Sequence, residues 1–470
     1  RDEAMNGVLI GVFVYILAQL LIGMYVSRRI KTESDYLLAG RSLGYGLATF
    51  SIFATWFGAE TCIGAAGAVY EEGLSGGSAD PFGYALCLIL MGLFFAIPLW
   101  RRGFTTLADL FRARYSIGVE RIAVLMMVPT SVMWAAAQIH AFGQVLSASS
   151  ELSVTVAISI AALVVIVYTV YGGLRADAIT DVVQGIALII GLVVILVVFT
   201  NSIGGVEALA HAIQPERLHL FGGGDKSFLE IAEKWAVPML GSVVAQEMVA
   251  RILATRSPAI ARRASLMGGG LYLLFGLIPV IIGLAAFTVM PNVKDSEQIL
   301  PLIAQQQLPT LLYILFAGAL LSAILSTVDS ALLAAAALTS HNLIVPLLPH
   351  ATEQNKVRIA RLGVIVFGVI AYLLALSADS VYQLVYDASA FGGAGIFIIV
   401  VFGLFTRVGG ARSAYAALIS GAVVWFYGSY IADLPYTYIS SLAFALAAYL
   451  MMATVEQKTG IPATATRGVE

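Results

Sequence analysis

Apolar residues in this chain come in long, nearly unbroken runs parted by short polar stretches, and run length is the first quantity that carries information. A helix crossing the hydrocarbon of a bilayer needs ~20 such residues. Thirteen runs of that kind can be placed, at about 7–27, 43–71, 81–100, 122–148, 153–173, 177–200, 229–250, 266–290, 308–340, 360–377, 383–405, 413–430 and 437–455. The pattern predicts an all-α polytopic membrane protein of 13 transmembrane helices. Connections are short except at 201–228, which carries His211, Arg217, His219 and a GGGDK turn and reads as a surface excursion. Nothing resembles a soluble domain, and the tail after Met452 is too short and polar to fold alone. Residues 1–470 therefore read as a single transmembrane domain.

Two runs are interrupted. The second, GYGLATFSIFATWFGAETCIGAAGAVYEEG, exceeds one simple span and holds Thr55, Trp56, Gly58, Glu60 and Thr61 in its middle; the seventh contains Pro238, Gly241, Gln246 and Glu247. Gly and Pro at membrane depth mark breaks, whose freed carbonyls are tolerated only where they line a cavity buried in protein. Broken helices at matching places in two halves point to the midplane site of a transporter built from inverted repeats. Helices 2–6 (about 43–200) and 7–11 (about 229–405) would be those halves, flanked by 7–27, 413–430 and 437–455. An odd repeat length makes the two halves opposite in orientation.

Composition and charge sharpen this reading. The chain has 470 residues, is 60% hydrophobic and 11% charged, and has a mean hydropathy of +0.91, outside the range of an ordinary soluble domain. A net charge of −2 with no basic stripe excludes nucleic acid as a partner. Placing the N-terminus outside leaves only Arg1, Arg217, Lys226, Lys234 and Lys294 on the outer side, so the excess of Lys and Arg within gives N-out, C-in. The expected setting is a plasma membrane, a bacterial inner membrane in the first instance. The opening RDEAMNGVLIGV lacks the basic start and cleavage site of a removable signal, so the first run is expected to stay as an anchor. Cys62 and Cys87 fall in apolar runs and give no disulfide framework. A bundle in lipid has an apolar outer surface whether or not it oligomerises, so the sequence sets no oligomeric state, and a monomer is compatible with it.

The candidate chemistry sits on oxygen atoms. In LLSAILSTVDSALLAAAALTS, Leu320 to Ser340, a small-residue helix carries Ser326, Thr327, Asp329 and Ser330. Ala323, Ser326 and Thr327 stand at i, i+3 and i+4, so one carbonyl and two hydroxyls share a face, half of a sodium shell. The plainer alternative is that both hydroxyls bond back to the preceding turn. Asp329 and Asp181 are costly at membrane depth, roughly 2.5–3.5 kcal/mol for a central Asp, and so face an interior partner. Glu60 follows the first break with Trp56 one turn before it on the same face. A carboxylate beside an indole suits an amine, with cation–π attraction of roughly 0.5–2 kcal/mol per face; alternatively Glu60 caps exposed amides at the break. Gln246 and Glu247 are the polar residues of the second break, each also placed to cap it. Gln138 and His140 have no assigned role. No HExxH, GxSxG or Ser/His/Asp ordering appears, so the chain does not read as an enzyme.

Four stretches, DYLLAGRSLG (Asp35 to Gly44), YGGLRADAITDVVQG (Tyr171 to Gly185), LLSAILSTVDS and GLFTRVGGARSAYAALISG, resemble the motifs of the sodium/solute symporter family, in order and at the matching helices. The resemblance spans nearly the whole chain and implies the leucine-transporter fold, two inverted five-helix repeats with one helix before and two after. It implies a principal sodium site of the Ala54 and Phe57 carbonyls with Ala323, Ser326 and Thr327. A second sodium site, as in the family's sialic acid transporters, would use Asp181, Ser326, Asp329 and Ser330, with Asp329 standing where those transporters have Ser. Two carboxylates are more than one monovalent ion requires. Either the second sodium is tightly held, or one acid is protonated or paired with Arg175. Asp177 departs from the apolar residue usual in the motif and is assigned to an inner gate. Within the family, ATWFGAETCIGAAGAVYEEG and MWAAAQIHAFG look most like the high-affinity choline transporter branch, which is similar at Trp56, Tyr84 and Trp134, residues that box a quaternary ammonium there. Where that branch has a further Trp, this chain has Ala245. The expected activity is sodium-coupled symport of a small organic solute bearing a positive nitrogen, with Trp56, Glu60, Tyr84, Trp134 and Gln246 around it and one or two sodium ions as co-substrate. Proline-type amino acids or monocarboxylates are the alternative solutes; a solute sensor working with a separate signalling partner is the alternative of another class.

Overall fold

Helices make up nearly all of the regular structure, and their breaks explain the architecture better than their lengths do. The computed structural model describes residues 30–458 except 149, 151, 223–225 and 379, together with residues 10, 11, 14, 17, 18, 21, 22, 24–26 and 28. The predicted first span thus lies mostly outside the described residues. The second run is two helices, α1 (Tyr45–Trp56) and α2 (Ala65–Glu72), and the third holds α3 (Tyr84–Leu90). Next come α4 (Ile117–Ala148) and α5 (Val154–Ser202). The seventh run is α6 (Phe228–Ala236) and α7 (Gln246–Leu253), followed by α8 (Pro258–Val289), α9 (Thr310–Ala337) and α10 (Glu353–Ala375). The remainder is α11 (Val381–Ala390), α12 (Gly393–Phe405), α13 (Ala411–Tyr430) and α14 (Thr437–Lys458).

Among the described residues seven helices are long and apolar enough to cross a membrane, or up to nine when each bent pair counts as one span. The two longest of the seven exceed twice the length of one crossing. The stretch Glu60–Arg101 has 42 residues and α5 has 49, against ~20 for a crossing. Within α5, Gly173 breaks the helix with φ 58° and ψ 177°, at the boundary between the predicted fifth and sixth runs. A side chain there would be strained, and its Cβ would lie 2.7 Å from the ring of Tyr36. Tyr36 in turn donates its hydroxyl to the Thr169 and Val170 carbonyls. The second glycine of YGGLRAD and the tyrosine of DYLLAG therefore form one joint between the segment before α1 and α5.

The core is α9, which packs chiefly on α5 and α4. Every residue from Ala319 to Ala337 is buried, including Ser326, Thr327, Asp329 and Ser330, as a helix apolar nearly all round requires. Small residues allow the close approach: a Cβ on Gly191 of α5 would lie 2.5 Å from the Ala319 methyl. At one end of the bundle the chain is stitched by polar bonds. Leu43 and Thr255 form a β-bridge, with Leu43 N–H donating to Ala254 O and Arg256 N–H to Leu43 O, both at 3.0 Å. Arg41 donates to the Gly103 and Phe104 carbonyls at 2.7 Å each. Asn342, just past α9, donates to Asp109 and Glu120 and accepts from Thr106. Burial would raise the Asp109 carboxyl, but His341 and the Thr105 and Thr106 amides beside it hold it below the usual carboxylate range. The opposite end carries an open cavity of about 890 Å³ lined by Glu72, Lys226, Glu230, Lys234, Tyr382 and Tyr386. Glu72 there pairs with Lys226 at 2.9 Å and Lys234 at 2.5 Å.

Candidate functional site

The first break is defined by where the backbone ladder stops. Phe57 N–H closes α1 onto Phe53 O, and helical bonding resumes with Cys62 N–H to Gly58 O. The carbonyls of Ala54, Thr55, Trp56 and Phe57 lie between the two ladders. The Ala59 amide is diverted to Gln138 Oε1 at 2.9 Å, and Gln138 Nε2 donates to Glu60 Oε2 at 2.6 Å. The Glu60 carboxylate folds back over the break, so close that a Cβ on Gly58 would be 2.5 Å from its oxygen. Gly58 is therefore needed for steric reasons, and Gln138, left without a role by the sequence, is the clamp. A π turn, Glu60–Gly64, then leads into α2.

The second break falls between Gly241 and Gln246 and bends the span by 42°. Gln246 Oε1 accepts the Leu107 amide at 2.9 Å, tying α7 to the segment before α4. Glu247 lies in the first turn of α7, 5% exposed, with Oε1 lacking a hydrogen-bond partner. One turn on, Arg251 is 1% exposed. This corrects its placement in an inner loop: a positive charge at the end of an apolar run looks like a loop residue until its partners are known. Arg251 donates to Asp177 at 2.6 Å, to Ser51 at 3.0 Å, to Ser330 and to the Glu247 carbonyl, and stands 3.5 Å from Asp181.

These contacts rearrange the predicted second ion cluster. Asp181 accepts from Ser51 at 2.5 Å and from Ser326, so Asp181 and Ser326 do meet. Asp329 accepts from the Ser330 amide at 2.8 Å, while its Oδ2 and Asp177 Oδ1 are buried without partners. Arg251, rather than Arg175, is the cation among these acids. Thr327 donates to the Ala323 carbonyl at 3.2 Å, the back-bond that the spacing allowed. That bond leaves the Thr327 oxygen lone pairs free.

Aromatic residues close the space between the breaks. Trp56 and Trp134 lie with ring centroids 5.5 Å apart, and Tyr84 lies 6.0 Å from Trp134. The Tyr84 hydroxyl bonds Ser389, which also accepts from Ser242 at the second break. Thr55, Trp56, Trp134, Glu247, Thr327 and Ala331 line one small cavity of about 10 Å³, and a second of about 20 Å³ lies on the other side of Glu247, bounded by Ser131, Ala245 and Ser389. Each holds about one water. Entry of an organic solute thus requires the helices around the breaks to move apart. Glu60 and Gln246 lie outside the cavity between the indoles, and Glu247 lies in its wall. The sequence reading put Gln246 and not Glu247 around the solute; Glu247's unpartnered oxygen and its place in this wall distinguish it. Among the described residues no group of three or more His, Cys, Asp and Glu converges on a metal position, so the oxygen donors on offer are hydroxyls, freed carbonyls and single carboxylates.

Known proteins resemble this chain. Similar to the chain, at 29% identity over 93% of it and 78% of the relative, is the human high affinity choline transporter 1. Also similar, at 25% identity over 90% of each, is the sodium/pantothenate symporter of Haemophilus influenzae. Among solved structures, a Na+-coupled sialic acid symporter in a substrate-bound outward-open state superposes with a TM-score of 0.86 over 95% of this chain and 97% of the other, at 20% identity, which carries the fold. That fold is the leucine-transporter fold. The sequence pattern describing the sodium:solute symporter family matches residues 36–421, from the Tyr36 joint through both breaks and α9 into α13. With broken helices meeting a hydroxyl-bearing core helix, and with that match over most of its length, the chain belongs to the sodium:solute symporter family.

Proposed function

We propose that this protein is a sodium-coupled secondary active symporter that imports a small organic solute bearing a positive nitrogen. One observation carries the reading: a single cavity brings together the end of α1, Trp134 of α4, α7 and Thr327 of α9. Sodium binds the carbonyls of Ala54, Phe57 and Ala323 with the Ser326 and Thr327 hydroxyls, a neutral set of oxygens suited to a hard monovalent cation. Bridging the break to α9, the ion holds α1 in the geometry that accepts solute between Trp56, Trp134 and Tyr84. Sodium thereby acts as a conformational ligand as well as a driving force. The repeats are residues 43–200 and 229–405, which with flanking helices make thirteen crossings, N-terminus outside, in a plasma membrane of bacterial inner-membrane type. This orientation puts the 890 Å³ cavity outside and the Leu43–Thr255 seam inside.

The reading takes one sodium per cycle, because Arg251 already brings a cation to Asp177, Asp181 and Ser330. At 100 mV each inward charge supplies about 2.3 kcal/mol, and a tenfold gradient adds about 1.4 kcal/mol. Glu60, held by Gln138, serves the break rather than the solute. The test is thermal stabilisation of purified protein by choline, betaine, proline and pantothenate, each in sodium and in potassium. Stabilisation by a nitrogen cation or zwitterion in sodium alone is expected. A shift given only by pantothenate overturns the amine reading, and a shift indifferent to sodium overturns the coupling.

A further inference from the structure

We infer that Glu247 is the counter-ion for the solute's positive nitrogen and restricts the site to organic monocations without a carboxylate. The inference rests on the symporter reading above and goes beyond it by naming the solute's charge type and the residue that selects it. Five observations carry it.

Glu247 is the one acid in the wall shared by both small cavities, with Trp56, Trp134 and Thr327 on one side and Ser131 and Ser389 on the other. It is 5% exposed and its Oε1 has no hydrogen-bond partner. A buried carboxylate oxygen without a donor is costly, and a cation brought into that cavity relieves the cost. The neighbouring guanidinium does not do so, since Arg251 reaches only the Glu247 backbone carbonyl and turns its other donors to Ser51, Asp177 and Ser330. Glu60 also has a buried oxygen without a partner, Oε1, but it lines neither cavity, and its Oε2 is held by Gln138 over the first break. Finally, neither cavity is lined by a Lys, Arg or His. A solute carboxylate entering there would face Glu247 with no basic side chain to meet it, and like charges in a desolvated site repel strongly. Two indoles and one carboxylate around a void suit a trialkylammonium or protonated amine. Position 245, small in this chain, leaves room beside Glu247 where a bulkier wall would shield the charge.

The test uses full-length protein in sodium and measures two probes of the same shape, choline and its uncharged carbon analogue 3,3-dimethylbutan-1-ol, by competition or thermal stabilisation. In the unaltered protein choline binds more tightly than the alcohol by at least about 30-fold, the order expected for a desolvated charge pair. In Glu247→Gln the ratio collapses to within a few-fold while the sodium midpoint stays in place; Glu247→Asp keeps part of the discrimination. A merely structural Glu247 lowers both probes together and leaves the ratio unchanged, which overturns the inference. A ratio that collapses in Glu60→Gln and survives in Glu247→Gln overturns it too, while leaving the amine symporter intact. If the unaltered protein binds neither probe but binds pantothenate in sodium, the amine reading itself fails. Betaine is the final arm: binding as tight as choline contradicts the exclusion of carboxylates.

Discussion

The two helix breaks hold the same kinds of residue and use them in opposite ways. At the first, the acid and the amide side chain are spent on the backbone: Gln138 caps the Ala59 amide and clamps Glu60, leaving a run of freed carbonyls and two indoles as the working surface. At the second, the amide of Gln246 is turned to the Leu107 backbone, the guanidinium of Arg251 to α5 and α9, and the carboxylate of Glu247 faces the cavity. The first break keeps its acid outside both small cavities, one oxygen clamped and the other buried without a partner, and offers neutral backbone oxygens, as a sodium site needs. The other is left electrostatically incomplete, as a cation-binding wall needs. On the proposed reading the two breaks divide the labour of ion and solute.

The comparison can be broken most severely at Arg251. Arg251→Met leaves Asp177, Asp181 and Asp329 buried without a cation, and removal of one partner from a buried charge cluster costs about 3–5 kcal/mol. A large fall in melting temperature, or failure to purify a monodisperse protein, is expected, with Arg251→Lys recovering part of the loss. Next comes the first break: Gln138→Leu strands the Ala59 amide and Glu60 together, at about 1–3 kcal/mol. Melting temperature should drop while the preference for choline over its neutral analogue survives. That survival would mark the first break as structural toward the solute.

Much of this division was legible in the chain, but only to the level of type. Gly58 and the Gly241 to Gln246 stretch marked both breaks because glycine and polar residues at membrane depth have few other uses. Ser326 and Thr327 marked the face of α9 because i, i+3 and i+4 arithmetic is fixed by helix geometry. Direction was not legible. Whether Glu60 reaches outward or folds back depends on Gln138, 78 positions away, and whether Arg251 sits in a loop or a core depends on three residues from other helices. Charge at the end of a run reads as interfacial by default, which is why the buried Arg251 and its role went to Arg175. The loop motifs, by contrast, were legible as motifs without a visible reason; Tyr36 against Gly173 supplies it.

A smaller effect sharpens the ion half of the comparison. Thr327→Ala removes one oxygen of the proposed sodium shell and keeps the helix, so sodium affinity should fall by about tenfold or more, about 1.4 kcal/mol, with little change in melting temperature in potassium. The smallest lies outside both breaks. Asp109 has a folded-state carboxyl below the ordinary range, so its contribution is present above the unfolded value of about 3.9 and is lost as pH falls through the folded one. The difference in melting temperature between the unaltered protein and Asp109→Asn should be largest at neutral pH and close below pH of about 4.

The central claim, that a sodium gradient drives a nitrogen cation through the space between the two breaks, is met most directly by reconstituting the protein in liposomes and following labelled choline. With an inward sodium gradient and no other, choline should rise inside above its external concentration, collapse when the gradient is dissipated, and fail to accumulate in Thr327→Ala at the same sodium. Accumulation that proceeds equally under potassium, or that never exceeds equilibration in sodium, would contradict the account.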